Sequence, residues 1–230
     1  MVKILIPVLD TSTEIETVKK SIEENILAKA DDVKVEYLYN DTEDESFSSK
    51  INRGMIGNDD DIVILHADMT VLPLWWTDLL FYVQDTSVGV LGSKMVFTSN
   101  PNIIQHFGGG ITSEADAIHP HRGLIDGGDY NYCATVPFVT FGGVYIKRKV
   151  IDKVGYLDEA IYPWGFEDVD YCLRVRKEGW KVICTPATLW HDETRDAKTL
   201  PEFKEIIERN MEYVRMKHKL NKLSGVPAWV

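Results

Sequence analysis

Short apolar runs recur along the first part of the chain, each giving way to polar or acidic residues and each separated from the next by a segment of helical spacing. Val2 to Val8 is stopped by Pro7 and Asp10, and Val33 to Tyr39 ends at Asn40-Asp41. Asp61 to Leu65 ends at His66-Ala67-Asp68, and Val88 to Leu91 is the next run. Between them, Thr13 to Ala30 places Ile15, Val18, Ile22, Ile26 and Leu27 at helical intervals, and Ser46 to Met55 and Leu74 to Gln84 read as further helices. Strands of this length alternating with helices predict β-α-β-α-β-α-β and a mainly parallel central sheet flanked by helices on both faces.

The stretch from Met95 to Thr140 is rich in Gly, His, Asn and Asp with weak periodicity, which predicts functional loops with little regular structure. Phe138 to Lys147 then reads as a strand carrying Gly142-Gly143, and Lys149 to Val154 as a short helix ended by Gly155. An amphipathic helix opens at Glu167 and closes at Gly179, followed by a strand from Lys181 to Thr185 with His191 beyond it. Pro201 to Leu220 is a helix on Phe203, Ile206, Ile207, Met211 and Val214. With no repeat or linker, the reading is one α/β domain over residues 1–220 and a tail over 221–230.

Lys plus Arg is 25 against 36 Asp plus Glu, a formal charge of −11 that argues against a nucleic-acid partner. An anionic substrate therefore needs local positive charge from a metal or a few placed bases. Cys133, Cys172 and Cys184 form neither a disulfide framework nor a paired metal motif. No apolar run is long enough to cross a membrane, so the expectation is a cytoplasmic protein, soluble or peripheral at a membrane.

In an open α/β sheet, ligands bind where the strands end. Pro7-Val8, Asn40-Asp41 and His66-Ala67-Asp68 should therefore meet at one crevice, with Asn40 and Asp41 able to read a nucleobase edge. Asp68 is a hard oxygen ligand suited to Mg²⁺ or Mn²⁺, or else a turn residue before Pro73. His191 is a second ligand or an ordinary surface histidine, and a mixed His and Asp set fits Mn²⁺ better than Ca²⁺. His119-Pro120-His121 is a second candidate ligand pair, or a plain turn set by its proline and loop surroundings. Glu167 and Asp168 sit at a helix N-terminus, where capping explains one carboxylate, but two plus Asp170 exceed that need. Arg174 and Arg176 read as a solvated face. The phosphate-binding glycine loops and the Gly-x-Ser-x-Gly elbow are absent, which leaves metal-assisted diphosphate chemistry as the leading class.

With those residues placed, the chain resembles the inverting family-2 glycosyltransferases of the GT-A fold from about Lys3 to Arg195. Ile6-Pro7-Val8 resembles that family's first strand. Asn40-Asp41-Thr42-Glu43-Asp44 resembles its base-contacting segment, and Asn52-Arg53-Gly54 its Asn-x-Gly helix motif. His66-Ala67-Asp68 stands at the Asp-x-Asp position with His in place of the first Asp. Gly165-Phe166-Glu167-Asp168-Val169-Asp170 matches the Glu-Asp motif, and Gly142-Gly143 belongs to the stretch before it. Ile104-Gln105-His106-Phe107-Gly108-Gly109 and His121-Arg122-Gly123-Leu124 are similar to the rhamnosyltransferase-like branch.

The resemblance implies that Asp68 and His191 hold a divalent cation, Mn²⁺ or Mg²⁺, and that Asp168, with Glu167, is the base. The expected donor contacts are Pro7, Val8, Asn40, Asp41, Arg53, His66, Ala67 and Asp68, and the donor is a UDP-, GDP- or dTDP-linked sugar. Gly142, Gly143 and Trp164 are the expected contacts of a glycan, lipid-linked or protein acceptor, Trp164 as a sugar platform or a core residue. Two other readings stand beside this one. A sugar nucleotidyltransferase lacks support because Leu9-Asp10-Thr11-Ser12 has neither Gly nor a basic residue, and a non-catalytic sugar-nucleotide or glycan-binding module has no need of the Glu167-Asp168 pair.

Overall fold

The computed structural model describes residues 1–8, 14–112, 116–192 and 200–220. Residues 9–13, 113–115, 193–199 (with Arg195) and 221–230 lie outside the described residues. The first half follows the apolar runs: β1 (Val2–Pro7), α1 (Glu14–Ile22, continued by a π-helical turn over Glu23–Leu27), β2 (Val33–Leu38), α2 (Phe47–Met55) and β3 (Asp61–Leu65). Then come β4 (Met69–Val71), α3 (Trp75–Val83), β5 (Val88–Phe97), β6 (Asn100–His106), β7 (Gly110–Ile111), β8 (Ala117–Ile118) and β9 (Ala134–Thr135). The last third holds β10 (Gly143–Ile146), α4 (Arg148–Val154), α5 (Glu167–Lys177), β11 (Lys181–His191) and α6 (Phe203–His218).

The main sheet runs β2-β1-β3-β10-β5-β11-β4, with β6 on β5 and β9 on β11. β2, β1, β3, β5 and β11 share one direction, while β10 and β4 run against it. The sheet is therefore mainly parallel, buried on both faces as its continuous apolar strands require. Alternate side chains of one strand feed opposite layers. Leu5, Ile62 and Ile64 pack with α2, α4 and α5, whereas Ile4, Ile6, Val63 and Leu65 pack with α1 and α3. All seven of these residues are fully buried, and each contributes about 1.5–3 kcal/mol relative to exposure.

Several elements differ from the sequence reading. β5 runs to Phe97, beyond Leu91, and pairs with β6, so the segment taken as loops is edged by a hairpin. β4 was not expected, and β10 is a short antiparallel strand rather than a run from Phe138. β11 continues through His191 instead of stopping at Thr185. Pro186 lies where its register with β5 shifts between Thr185 and Thr188, a place where a missing N–H is tolerated. Arg174 is not a solvated residue: it donates to Asp170 Oδ2 at 2.8 Å and to the carbonyls of Val154 and Tyr156. Arg176 donates to the Val136 carbonyl.

Asp170 is fully buried, and Lys217 and His218 of α6 join Arg174 on it, so it ties α6 to α5. Among the described residues no helix is long and apolar enough to cross a membrane.

Candidate active site

β4 begins directly after Asp68 and runs antiparallel to β11, pairing Met69 with His191. That register brings residues more than a hundred positions apart to one point. His191 Nε2 lies 3.2 Å from Asp68 Oδ1, and the backbone N–H of Asp192 donates to the Asp68 carbonyl at 3.1 Å. His66 joins them: its ring centroid is 6.0 Å from that of His191. His66, Asp68 and His191 each offer a ligand atom within 4.8 Å of the others. His66 belongs to this group, which the sequence reading limited to Asp68 and His191.

Gln105 on β6 sets the chemistry of the triad. Its Oε1 lies 2.5 Å from His191 Nδ1. An amide oxygen only accepts, so the neutral imidazole carries its proton on Nδ1 and its lone pair on Nε2, facing a carboxylate oxygen. In that form two acceptors face each other, so either a metal cation or a proton on Nε2 must lie between them. Two imidazoles and one carboxylate suit Mn²⁺ or another borderline divalent ion. Burial works to raise Asp68, but the His191 hydrogen bond and the charges of His191 and His66 outweigh it and hold the carboxyl down at about 2. Burial lowers His66 to about 4, so its ring is neutral and able to ligate.

A cavity of about 260 Å³ holds His66 and His191 together with Gln105, Gly142, Glu167 and Asp168. The two carboxylates reach it through a turn with left-handed backbone at Gly165 (φ 92°) and Phe166 (φ 75°). The second of these is costly for a residue with a side chain, and such geometry persists only where the surroundings enforce it. Asn210 of α6, 1% exposed, enforces it here. Its amide donates to the carbonyls of Trp164 at 2.9 Å and Gly165 at 3.1 Å. Asp168 Oδ1 accepts from Val169 N at 2.8 Å, while Glu167 Oε2 is buried with no hydrogen-bond partner among the described residues. Burial raises both carboxyls, and the charge of Asp168 raises Glu167 further, so the pair shares a proton that Asp168 gives up first.

The remaining predicted residues divide. Gly142 lines the cavity, and its carbonyl accepts from His66 N at 3.0 Å. Gly143 lies inside β10, where an added methyl would come within 2.3 Å of Leu189 Cδ1, so it serves close packing rather than the cavity. The Trp164 ring packs on Phe203 of α6 at 5.8 Å between centroids and is not among the residues lining the cavity.

Asp41 and Arg53 line a second cavity of about 380 Å³ with Glu45, Ser49 and Tyr162. Arg53 is bound there to the Glu45 carboxylate and the Tyr39 carbonyl. Buried Lys50 donates to the Val8 carbonyl at 2.9 Å and to Asn40 Oδ1, tying the ends of β1 and β2. Lys50 thus occupies one lone pair of Asn40 Oδ1. Pro7 ends β1, and Ala67 packs between His66 and Asp68 against the α1–α3 layer.

Sequence reasoning missed Lys50 and Asn210, gave Gln105 and His106 only a place in a family-like motif, and left His119 between a candidate ligand and a turn residue. Asn210 left a trace: it falls on the apolar stripe of α6 that holds Ile206 and Val214, where a polar residue must have partners.

No family model matches the chain. It is 30% identical over 171 residues to the uncharacterized protein y4gI of Sinorhizobium fredii, an alignment covering 69% of this chain and 18% of that protein. Among solved structures, GalNAc-T7 with UDP, GalNAc and Mn²⁺ matches with a TM-score of 0.62 at 12% identity, covering 98% of this chain and 56% of the other. The mannosyltransferase PcManGT of Pyrobaculum calidifontis with GDP-Man and Mn²⁺ gives 0.58 at 12% identity over 85% and 57%. Drosophila β1,4-galactosyltransferase 7 with xylobiose gives 0.57 at 19% identity over 89% and 77%. The chain thus spans about half the length of two of these structures and less than a fifth of the sequence relative. Its fold is the GT-A fold of these glycosyltransferases, a mixed α/β domain on a mainly parallel sheet.

Proposed function

We propose that residues 1–220 form the catalytic domain of an inverting glycosyltransferase of the family-2, rhamnosyltransferase-like kind. It moves a sugar from a UDP-, GDP- or dTDP-linked donor to a hydroxyl of a glycan, lipid-linked or protein acceptor in polysaccharide or glycoconjugate synthesis. It works in the cytoplasm or at a membrane surface. One observation carries this reading: His66 and His191 of the cation-ready His66-Asp68-His191 group line the same cavity as Asp168 and Glu167, whose Oε2 is buried without a partner among the described residues.

Each side of that cavity has a duty in the reaction. A divalent cation, Mn²⁺ or Mg²⁺, held by His66, Asp68 and His191 would supply positive charge to the departing diphosphate. Asp168 takes the proton of the acceptor hydroxyl. The hydroxyl oxygen bonds to the anomeric carbon from the face opposite the diphosphate, the bond to the diphosphate oxygen breaks, and the configuration inverts. Glu167, the more strongly raised carboxyl, stays protonated beside Asp168 and orients it. The Asn40-Asp41 end of β2 serves the base. The solved neighbours bound to nucleotide sugars and Mn²⁺ support this reading through the shared fold.

The test is donor hydrolysis across a panel of nucleotide sugars, with Mn²⁺ and with EDTA. One donor class should release its nucleoside diphosphate only with metal, and release that is equal in EDTA would overturn the assignment.

A further inference from the structure

A histidine pair, His106 buried and His119 exposed, takes no part in the mechanism above. His106, at the end of β6, is 2% exposed. Its Nε2 accepts from the backbone N–H of Thr140 at 3.3 Å, and its Nδ1 lies 3.1 Å from His119 Nδ1. A backbone amide only donates, so the proton of His106 sits on Nδ1 and is donated to His119. The neutral His119 ring then carries its own proton on Nε2, away from His106. Two fixed tautomers therefore lead from a backbone amide in the core to His119 on the cavity lining.

Arg122 stands on the same turn and lines the same cavity. Its guanidinium lies 5.0 Å from the ring centroid of Phe97, which is in register with His191 across β5 and β11. Arg122 is the one Arg or Lys among the described residues lining this cavity. Guanidinium and Nε2–H are both pure donors, so the ligand they suit is anionic and rich in acceptor oxygens. A leaving diphosphate carries more charge than one divalent cation offsets, because the Asp68 carboxylate already takes up part of the cation's charge. Glu167 and Asp168 add further negative character nearby.

We propose that His119 and Arg122 form a phosphate-binding wall that holds the leaving diphosphate of the donor beside the His66-Asp68-His191 site. This rests on the glycosyltransferase reading above. A phosphorylated acceptor would offer the same oxygens, and the test separates the two sources.

The experiment is calorimetric titration of UDP, GDP and dTDP into the protein in Mn²⁺. Arg122 is exposed and Met keeps an unbranched stem over Phe97, so Arg122→Met should fold, which its melting curve checks. It should bind the preferred nucleoside diphosphate about ten- to a hundredfold more weakly, the range for a charge-assisted hydrogen bond. Arg122→Lys should recover part of the loss. His119→Gln keeps a donor at the Nε2 position and should bind better than His119→Asn, which does not. Nitrogen NMR of the two rings should report Nδ1–H on His106 and Nε2–H on His119, and the reverse tautomers would remove His119 from the wall.

If the wild type binds a nucleoside diphosphate and Arg122→Met binds it equally well, the wall is wrong while the glycosyltransferase reading stands. If the wild type binds none of the nucleotides in Mn²⁺, both fail. Inorganic phosphate that binds the wild type already saturated with nucleoside diphosphate, but not Arg122→Met, would assign the wall to a phosphorylated acceptor and overturn the leaving-group assignment.

Discussion

On the strand-end side of the cavity, Asp68 lies beside His66 and His191, and Gln105 fixes the ring that faces Asp68. On the helix side, Glu167 and Asp168 burden one another, and a Glu167 oxygen is buried without a partner. The first arrangement stabilises the fold and waits for a cation. The second costs stability, as a site tuned for proton transfer does. The same cavity therefore carries two carboxylate environments of opposite sign, one held below the usual range and the other raised above it.

The sharpest way to break this contrast is Asp168→Asn. The substitution is nearly isosteric and keeps an oxygen for Val169 N, so folding should hold. It cannot take a proton, and sugar transfer should fall by about 10²–10⁴. Transfer at the wild-type rate would make Asp168 a helix cap. Next in size is Gln105→Leu, which frees the His191 ring. Mn²⁺ affinity, followed by the loss of free-ion paramagnetic signal, should drop about 10–100-fold, as for other partners that orient a ligating imidazole. An unchanged affinity would show that Gln105 does not set the ring.

Asn210→Ala acts on the other side. It leaves the Trp164 and Gly165 carbonyls short of a donor, at a cost of about 1–3 kcal/mol, or about 2–4 °C in Tm for each kcal/mol. Turnover should fall with it while Mn²⁺ affinity holds. A fall in both would mean that α6 supports the whole cavity rather than the turn before Glu167.

The smallest effect is in the pH dependence of stability, measured in EDTA. Folded His66 binds fewer protons than the unfolded chain below its ordinary range, so its contribution is lost as pH falls from about 6.5 towards 4. Asp68 adds a loss of the same sign at lower pH, on the way to about 2. Glu167 has the opposite sign: folded, it binds more protons than unfolded, so stability is lost as pH rises out of the ordinary carboxyl range. Glu167→Gln should therefore melt higher than the wild type at mildly alkaline pH and lose that advantage in acid. Parallel melting curves for the two proteins across pH would show that Glu167 is not perturbed.

The same contrast explains what could be read from the sequence. β1, β2 and β3 were legible because each is an uninterrupted apolar run, and the meeting of Asp68 with a strand-end histidine follows from where strands end. The length of β5 and β11 was not legible. Gly92-Ser93-Lys94 and Pro186 interrupt their patterns, and only pairing with each other and with β6 keeps those segments extended. The Glu167-Asp168 pair was visible as an excess of charge at a helix start. The turn that aims it depends on Asn210, more than forty residues later in the chain, a contact that exists only once α6 docks. The contact of the Trp164 ring with Phe203 on α6 was out of reach for the same reason.

The central claim is that the two sides of the cavity have separate duties, one binding the donor diphosphate through a cation and one moving a proton. Calorimetric titration of the preferred nucleoside diphosphate, with Mn²⁺ and with EDTA, into the wild type, Asp68→Asn and Asp168→Asn tests it most directly. The account predicts that Asp168→Asn binds at least as tightly as the wild type in Mn²⁺, while Asp68→Asn loses the Mn²⁺-dependent part of the affinity and matches the wild type in EDTA. Equal weakening by the two substitutions, or undiminished Mn²⁺-dependent binding by Asp68→Asn, would contradict it.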